Sequence, residues 1–333
     1  MHVTNQIYAI DHHHGQASRT TLSGYPTIHG ATMPDKANYY LENLSWLHES
    51  LMREPRGHKN MLGSILTAPV NEGSEFGVLF QHAFGLFPSC GDSTFATAFA
   101  ALETGLVTPV EPITRFKLDT VLGPLKIEAD VSDGIVSEVR FENVPSYEVG
   151  RIHLKVPGLG DIDLDVAFGG HYHGFVDADK LGISIDRSNE AVLVKAAQSI
   201  WANGGKEIDL TDPENGNSIV LTLISFISKD AEANAYRVAH VYPPGRMGRT
   251  PGGTGTSALM GLYAARGQYD PSQKFVMTGN LDTFFTGTGK RVTLPNGTPA
   301  IIPKLGAKSY MMGIHHFVID PQDPFGKGFI LEG

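Results

Sequence analysis

The chain of 333 residues contains one cysteine, Cys90. An intramolecular disulfide is therefore impossible, and a cysteine-rich zinc cage is excluded. Positive charge is also in the minority. Against 35 acidic residues stand 26 Lys and Arg, a formal net charge of −9 that argues against nucleic acid or an anionic membrane surface as partner. No apolar run approaches the ~18 residues of a membrane span. Met1-His2-Val3-Thr4-Asn5-Gln6 has neither a basic n-region nor an apolar h-region. No secretion signal is expected from it, and the cytoplasm is the expected compartment. A Gly-x-Ser-x-Gly elbow is missing, which removes one hydrolase class.

What is abundant is turn-forming residues. The 38 glycines and 20 prolines predict many short strands rather than long helices, and 41% apolar residues suffice for a soluble globular chain with two ordinary domains. Leu125, Ile127, Ala129 and Val131 alternate with polar residues, Ser132-Asp133-Gly134 turns the chain, and Ile135–Phe141 alternates again. This is the pattern of an antiparallel hairpin. Tyr40, Leu44, Leu47 and Leu51 recur at helical spacing between Pro34 and Pro55, and a second helix is expected from Ser188 or Asn189 to Gly204. Together these predict an α+β fold.

An internal echo is the most informative feature. Cys90-Gly91-Asp92-Ser93-Thr94-Phe95-Ala96 leads into Leu102-Glu103-Thr104-Gly105, and Gly252-Gly253-Thr254-Gly255-Thr256-Ser257-Ala258 leads into Ala265-Arg266-Gly267. The offset is constant, 252 − 90 = 162. Each segment reads as a small-residue loop, a helix of about three turns and a glycine stop. Residues 95–102 are apolar nearly all round, so the first helix should be buried. The expectation is two related halves, each wrapped around a central helix.

A helix N-terminus offers unpaired N–H groups and partial positive charge, enough to hold a carboxylate without a cationic side chain. Gly91, Gly253 and Gly255 would let the backbone come close. The same field should lower the Cys90 thiol from its usual ~8.5, giving a thiolate placed to take the Cα proton of a bound amino acid. Other readings of these loops are a phosphate cradle, which lacks the Walker lysine, and a plain glycine-rich helix cap. The fixed offset favours chemistry.

Further motifs run in order along the chain: Gly30-Ala31-Thr32-Met33, Glu54-Pro55-Arg56-Gly57-His58, Cys90-Gly91, Asn143-Val144-Pro145, Phe168-Gly169-Gly170, Arg249-Thr250-Pro251 with Gly253-Thr254-Gly255-Thr256-Ser257, and Asp320-Pro321. With these motifs the chain resembles the proline racemase superfamily over essentially its full length, a group that includes proline racemase, 4-hydroxyproline epimerase and trans-3-hydroxy-L-proline dehydratase. The resemblance implies a diaminopimelate epimerase-like α+β fold of two pseudo-symmetric halves, each a curved antiparallel sheet around a central helix, with the site between them. It implies no cofactor, no metal, an imino acid substrate and a homodimer. The first half would comprise 1–142 with 315–333 and carry the Cys90 loop. The second would comprise 143–314 and carry the Gly252–Ser257 loop. Substrate-binding positions by resemblance are Gly91, Asp92, Ser93, His171, Gly253 and Thr254.

Departures from the family pattern bear on the reaction. Racemases of this family head each loop with an acid/base, and Gly252 stands where the second cysteine, or the dehydratases' threonine, is expected. The family's Cys-Gly-His is Cys90-Gly91-Asp92, its asparagine after Gly-Gly is His171, and the aspartate that holds the imino nitrogen is Gly248. Stand-ins for the second acid/base are His171, His173, Thr250, Thr254 or water, with His171 put first because it titrates near neutrality; a structural histidine is its other reading. Asp92 reads as a replacement anchor for the substrate amine or as a helix N-terminal carboxylate. A dehydratase needs one base only, so a lyase acting on 3-hydroxyproline with Cys90 as base is the first expectation, an epimerase or racemase with a non-standard second group the next, and a silent binding homologue the third. His12-His13-His14 and His315-His316 do not read as metal sites, because neighbouring residues on a strand face opposite ways. Glu54–His58 reads as structural hydrogen bonding.

Overall fold

The computed structural model describes residues 4–221, 223–230, 234–243 and 245–331. Met1–Val3, part of the start on which the absence of a signal was read, and the last two residues lie outside the described residues. The chain forms two compact units, residues 1–141 with 307–333 and residues 142–306.

Both units are built to one plan. In the first, the strands run in the order Tyr310–Ile319, Asn5–His13, Ala17–Ser23, Leu62–Thr67, Phe76–His82, Ile113–Thr120, Gly123–Ser132 and Ile135–Glu142. Their successive pairings are antiparallel, antiparallel, parallel, antiparallel, parallel, antiparallel and antiparallel. In the second the order is Tyr147–Val156, Gly160–Phe168, Tyr172–Asp177, Leu223–Lys229, Ala235–Tyr242, Phe275–Gly279, Phe284–Thr293 and Pro299–Ala307. The series of pairings repeats without change. Parallel neighbours cannot be joined by a tight turn, so each parallel pairing requires a crossover. Helices supply it every time: α1 (Met33–Asn43) with α2 (Ser45–Met52), and α3 (Gly91–Glu103), in the first unit; α4 (Glu190–Ile200) and α5 (Gly253–Ala265) in the second.

Local chemistry accounts for these elements. Asp133 (φ 52°) and Gly134 (φ 73°) form a two-residue turn between the paired Ser132 and Ile135, and left-handed φ at both positions matches the twist of the strands it joins. Thr32 caps α1 through a reciprocal pair of bonds with Asp35. The single helix expected over Tyr40–Leu51 is in fact two, broken at Leu44 (φ −127°, ψ 15°). The bend lets Tyr40, Leu44, Leu47 and Leu51 all enter one core. The helix expected to reach Gly204 ends its regular part at Ile200, and the wider turn Trp201–Gly205 follows with Gly204 at φ 98°.

Burial fixes where chemistry is possible. Every residue from Ser93 to Leu102 of α3 is buried, as is almost all of α5. The first packs on the strands Asn5–His13, Ala17–Ser23 and Leu62–Thr67, the second on Tyr147–Val156, Gly160–Phe168 and Tyr172–Asp177. With their flanks covered, each helix is open only near its ends: at Gly91, Asp92 and Glu103 in α3, and at Thr254, Tyr263 and Ala265 in α5. Among the described residues no helix is long and apolar enough to cross a membrane.

Candidate active site

Cys90 is the N-cap residue of α3, in extended backbone conformation (φ −152°, ψ 108°), and Gly252 is the N-cap of α5 (φ 68°, ψ 123°). Neither side chain caps its helix, which leaves first-turn N–H groups available to an anion. In both helices the threonine four residues on, Thr94 or Thr256, donates its hydroxyl to the N-cap carbonyl at 2.8 Å. The second residue of the helix, Asp92 or Thr254, in each case meets a histidine Nε2 whose Nδ1 meets a serine. The sequence echo is thus an echo of bonding.

In the first unit, the Cys90 thiol lies 3.4 Å from the Ser93 hydroxyl, itself held by Ser18 at 3.1 Å. Asp92 accepts from His14 Nε2 at 2.8 Å, and His14 Nδ1 meets Ser309 at 3.0 Å. The expectation of a lowered thiol pKa is corrected here. Although Cys90 keeps part of its surface open, burial pushes its thiol up to about 12, and the Asp92 carboxylate adds to the rise. The Ser93 hydroxyl and the N–H groups of Ser93 and Asp92 pull the other way and are outweighed. In the unliganded protein the sulfur carries its proton.

In the second unit, the place a side chain at Gly252 would take is filled. A Cβ there would lie 2.9 Å from Cδ2 and Nε2 of His240, and one at Gly255 would lie 2.1 Å from His240 Cε1. His240 Nε2 meets the Pro251 carbonyl at 2.6 Å and its Nδ1 meets Ser225 at 2.8 Å. The same serine meets His173 Nδ1 at 2.9 Å, and His173 Nε2 meets the Thr254 hydroxyl at 3.1 Å. His173 is 1% exposed, and its pKa is held well below the ordinary value, chiefly by burial and then by His240 and His171. It is a neutral imidazole. His171 is half-buried, with burial lowering its pKa, and among the described residues its ring takes part in no hydrogen bond with the α5 loop. The turn that carries it does approach the start of α5: a Cβ at Gly169 would lie 2.3 Å from the Thr254 carbonyl oxygen, and Asn143 Nδ2 ties the two by donating both to the Gly169 carbonyl and to Ser257. Gly248, by contrast, has room, since a Cβ there would meet only His240 atoms at 3.7 Å.

Sequence reasoning named Cys90, Asp92, Ser93, Thr254 and, as one of several stand-ins, His173; it read His14 only within a solvated or hydrogen-bonded segment near the cleft, and it missed Ser309, Ser225 and His240. The available signal was polar residues inside otherwise apolar strands: Ser225 and His240 are direct cross-strand partners between Ile224 and Phe226 on one strand and Ala239 and Val241 on the other. The histidine runs are accounted for by pairing. His12 meets Glu103 at the far end of α3 (2.9 Å), His14 meets Asp92 at its start, and His315 joins the buried Asp11–Arg19 ion pair at 3.1 Å. Arg56 is engaged by Asp323 at 3.1 Å. Among the described residues no group of three or more His, Cys, Asp or Glu is placed to hold a metal ion.

Two mixed-sheet units, each with a buried helix whose open N-terminus bears the polar residues, define the α+β class of the diaminopimelate epimerase-like enzymes. The proline racemase family profile matches residues 9–330, and the chain belongs to that family of enzymes, whose common chemistry is at the α-carbon of proline-type imino acids. It is 34% identical to a proline racemase of Clostridioides difficile, covering 100% of both chains, and 32% identical to a 4-hydroxyproline 2-epimerase of Streptosporangium roseum, covering 99% of this chain and 100% of that one. Among solved structures, a hydroxyproline epimerase from Agrobacterium vitis with bound trans-4-hydroxy-L-proline superposes with a TM-score of 0.87 at 27% identity, covering 99% of this chain and 96% of the other.

Proposed function

We propose that this enzyme inverts the α-carbon of proline or a hydroxyproline, as a racemase or 2-epimerase with Cys90 as one acid/base and a non-standard group as the other. The observation that carries this reading is the lone cysteine at the head of a buried helix, with the N–H groups of Asp92 and Ser93 and the Ser93 hydroxyl around its sulfur. In the first unit those N–H groups, with Gly91 leaving the backbone open to approach, suit a carboxylate, and the Asp92 carboxylate suits the imino nitrogen; in the second unit the first turn at Gly253 and Thr254 has the same character. The high thiol pKa assigns the resting sulfur the role of acid: it delivers a proton to the carbanion, and the thiolate left behind takes one in the reverse direction. Dehydration of 3-hydroxyproline, the first expectation from the missing second cysteine, gives way because the relatives compared are racemases and epimerases and because the space vacated at Gly252 is occupied by a histidine network rather than left empty.

The same reading includes a homodimer in the cytoplasm. On the strand Tyr310–Ile319, the face bearing Tyr310, Met312, Ile314 and Val318 is exposed, and Tyr8 of the neighbouring strand extends it.

The test is incubation of the protein with both enantiomers of proline and with the 4-hydroxyprolines in deuterated water, following α-deuteration by NMR and configuration by chiral chromatography. Wild type is expected to exchange and invert at least one of them. Cys90→Ser is expected to lose about 10²-fold or more of inversion, the ordinary scale for removing an acid/base. A wild type that exchanges no α-proton, or a Cys90→Ser variant as active as wild type, rules the reading out.

A further inference from the structure

We infer that the second acid/base is the Thr254 hydroxyl, working through a buried proton relay of His173, Ser225 and His240. This rests on the reading of the reaction as inversion at Cα and names the group that reading leaves open.

With both imidazoles neutral, the direction of every bond in the relay follows from one atom. The Pro251 carbonyl can only accept, so His240 Nε2, 2.6 Å away, carries a proton. A neutral His240 then has a bare Nδ1, which must accept from the Ser225 hydroxyl at 2.8 Å. Having spent its one proton there, Ser225 accepts from His173 Nδ1–H at 2.9 Å. Neutral His173 is left with a bare Nε2, which accepts from the Thr254 hydroxyl at 3.1 Å. The Thr254 oxygen, its proton directed at an imidazole, keeps its lone pairs as acceptors. Thr254 is half-buried, whereas His173 is 1% and His240 5% exposed. The basicity of these imidazoles therefore reaches a substrate only through the threonine. A serine hydroxyl or cysteine thiol directly at position 252 is unavailable, because His240 lies where its Cβ would go.

The step balances. The Cα–H proton passes to Thr254 Oγ as the threonine's own proton moves to His173 Nε2. The Nδ1 proton of His173 moves to Ser225, and the Ser225 proton moves to His240 Nδ1. Positive charge comes to rest on His240, whose Nε2–H faces the Pro251 carbonyl. The electron pair of the broken C–H bond is left on the substrate and then takes a proton from the reaction's other acid/base, which is left as its conjugate base. The reverse reaction or solvent returns a proton to that group and removes one from the imidazolium. Thr254 is the catalytic residue, and His173, Ser225 and His240 are positioning residues that act through it.

Exchange and inversion separate this from a structural role. A base on one face alone can remove and return a proton with retention, whereas inversion needs both faces. In deuterated water, Thr254→Val and His173→Gln are each expected to lose at least 10²-fold of inversion while α-exchange of one enantiomer persists, and Thr254→Ser, which keeps the hydroxyl, is expected to stay within about tenfold of wild type. Inversion by Thr254→Val at the wild-type rate overturns the inference. So does a parallel fall of exchange and inversion in both variants, which is the signature of damage to the loop. A wild type without exchange on any imino acid overturns instead the reading of the reaction, and this inference with it.

Discussion

The N–H groups at the start of α3 favour a negative sulfur by the same charge–dipole attraction that gathers carboxylates at helix N-termini. Cys90 shows that this attraction is local and bounded. Taking the thiolate out of water costs more than the first turn of one helix returns, and the Asp92 carboxylate adds a like charge beside it. Because the chain has one cysteine, the balance can be read directly by alkylation. Asp92→Asn removes the like charge while keeping an acceptor for His14, so the thiol pKa should fall from its raised value and alkylation at a pH of about 8 should speed up, about tenfold for each unit of the fall. The check is the pH dependence of iodoacetamide labelling in the two proteins; a variant that labels more slowly than wild type contradicts the assignment of Asp92 as a raising charge. Catalysis has its own counterpart to this balance. On the proposed reading, a substrate whose imino nitrogen is cationic would bring positive charge toward both Asp92 and the sulfur, and would favour the thiolate only when the site is filled.

Helices α3 and α5 are equivalent in backbone and different in chemistry, and the difference is lodged in the strands behind them. Around α3 the histidine partner of the second helical residue serves a carboxylate; around α5 it serves a hydroxyl and is linked to a second histidine. The second histidine explains Gly252. Its left-handed φ of 68° already costs a non-glycine residue about 1–2 kcal/mol, and the His240 ring 2.9 Å from the would-be Cβ adds a clash with an imidazole pinned by two hydrogen bonds. Gly248 has neither constraint. Gly252→Ala should therefore lower the melting temperature clearly, and Gly248→Ala should leave it near the wild-type value, both read by thermal denaturation; equal effects at the two positions would contradict the role given to His240. These elements also show how far a sequence can be read. The 162-residue offset exposed both loops and both helices because small residues and glycine stops are local signals. Hairpins such as Ser132–Ile135 are legible for the same reason. Ser225 and His240 are brought together by strand pairing between residues 15 apart, and His173 by a parallel neighbour 52 residues from Ser225. A polar residue inside an apolar strand is visible locally at each position, but which of them meet is set by the pairing.

At the scale of the whole molecule, the sheet of the first unit has one face that its own helices do not cover. From Met312 to Ile319 even-numbered residues point outward and odd-numbered ones inward, and before the register shift next to Met312 both Tyr310 and Met311 are exposed. Ile314 is 73% exposed, Val318 51% and Tyr310 53%, while Phe317 packs against the core and Ile319 is 5% exposed. Tyr8 stacks on His316 at 4.2 Å and widens the patch. Isolated apolar residues on a surface need no partner, but a row of them on adjoining strands is costly to leave in water and marks an association surface. A net charge of −9 sets the terms of that association, since two copies repel at long range and must be joined by apolar contact over a stable interface of about 800 Å² per partner. Ile314→Glu puts a like charge at the centre of the row on each copy, close to itself across a two-fold contact. The expected result is a shift from dimer to monomer in sedimentation at micromolar concentration. Because Ile314 is outside the core of its unit, the fold should survive, with an unchanged far-ultraviolet dichroism spectrum. A wild-type protein that sediments as a monomer removes the dimer from the proposal. A variant that remains as dimeric as wild type places the contact on another face, and the exposed row would then have to be accounted for by something other than a second copy of the chain.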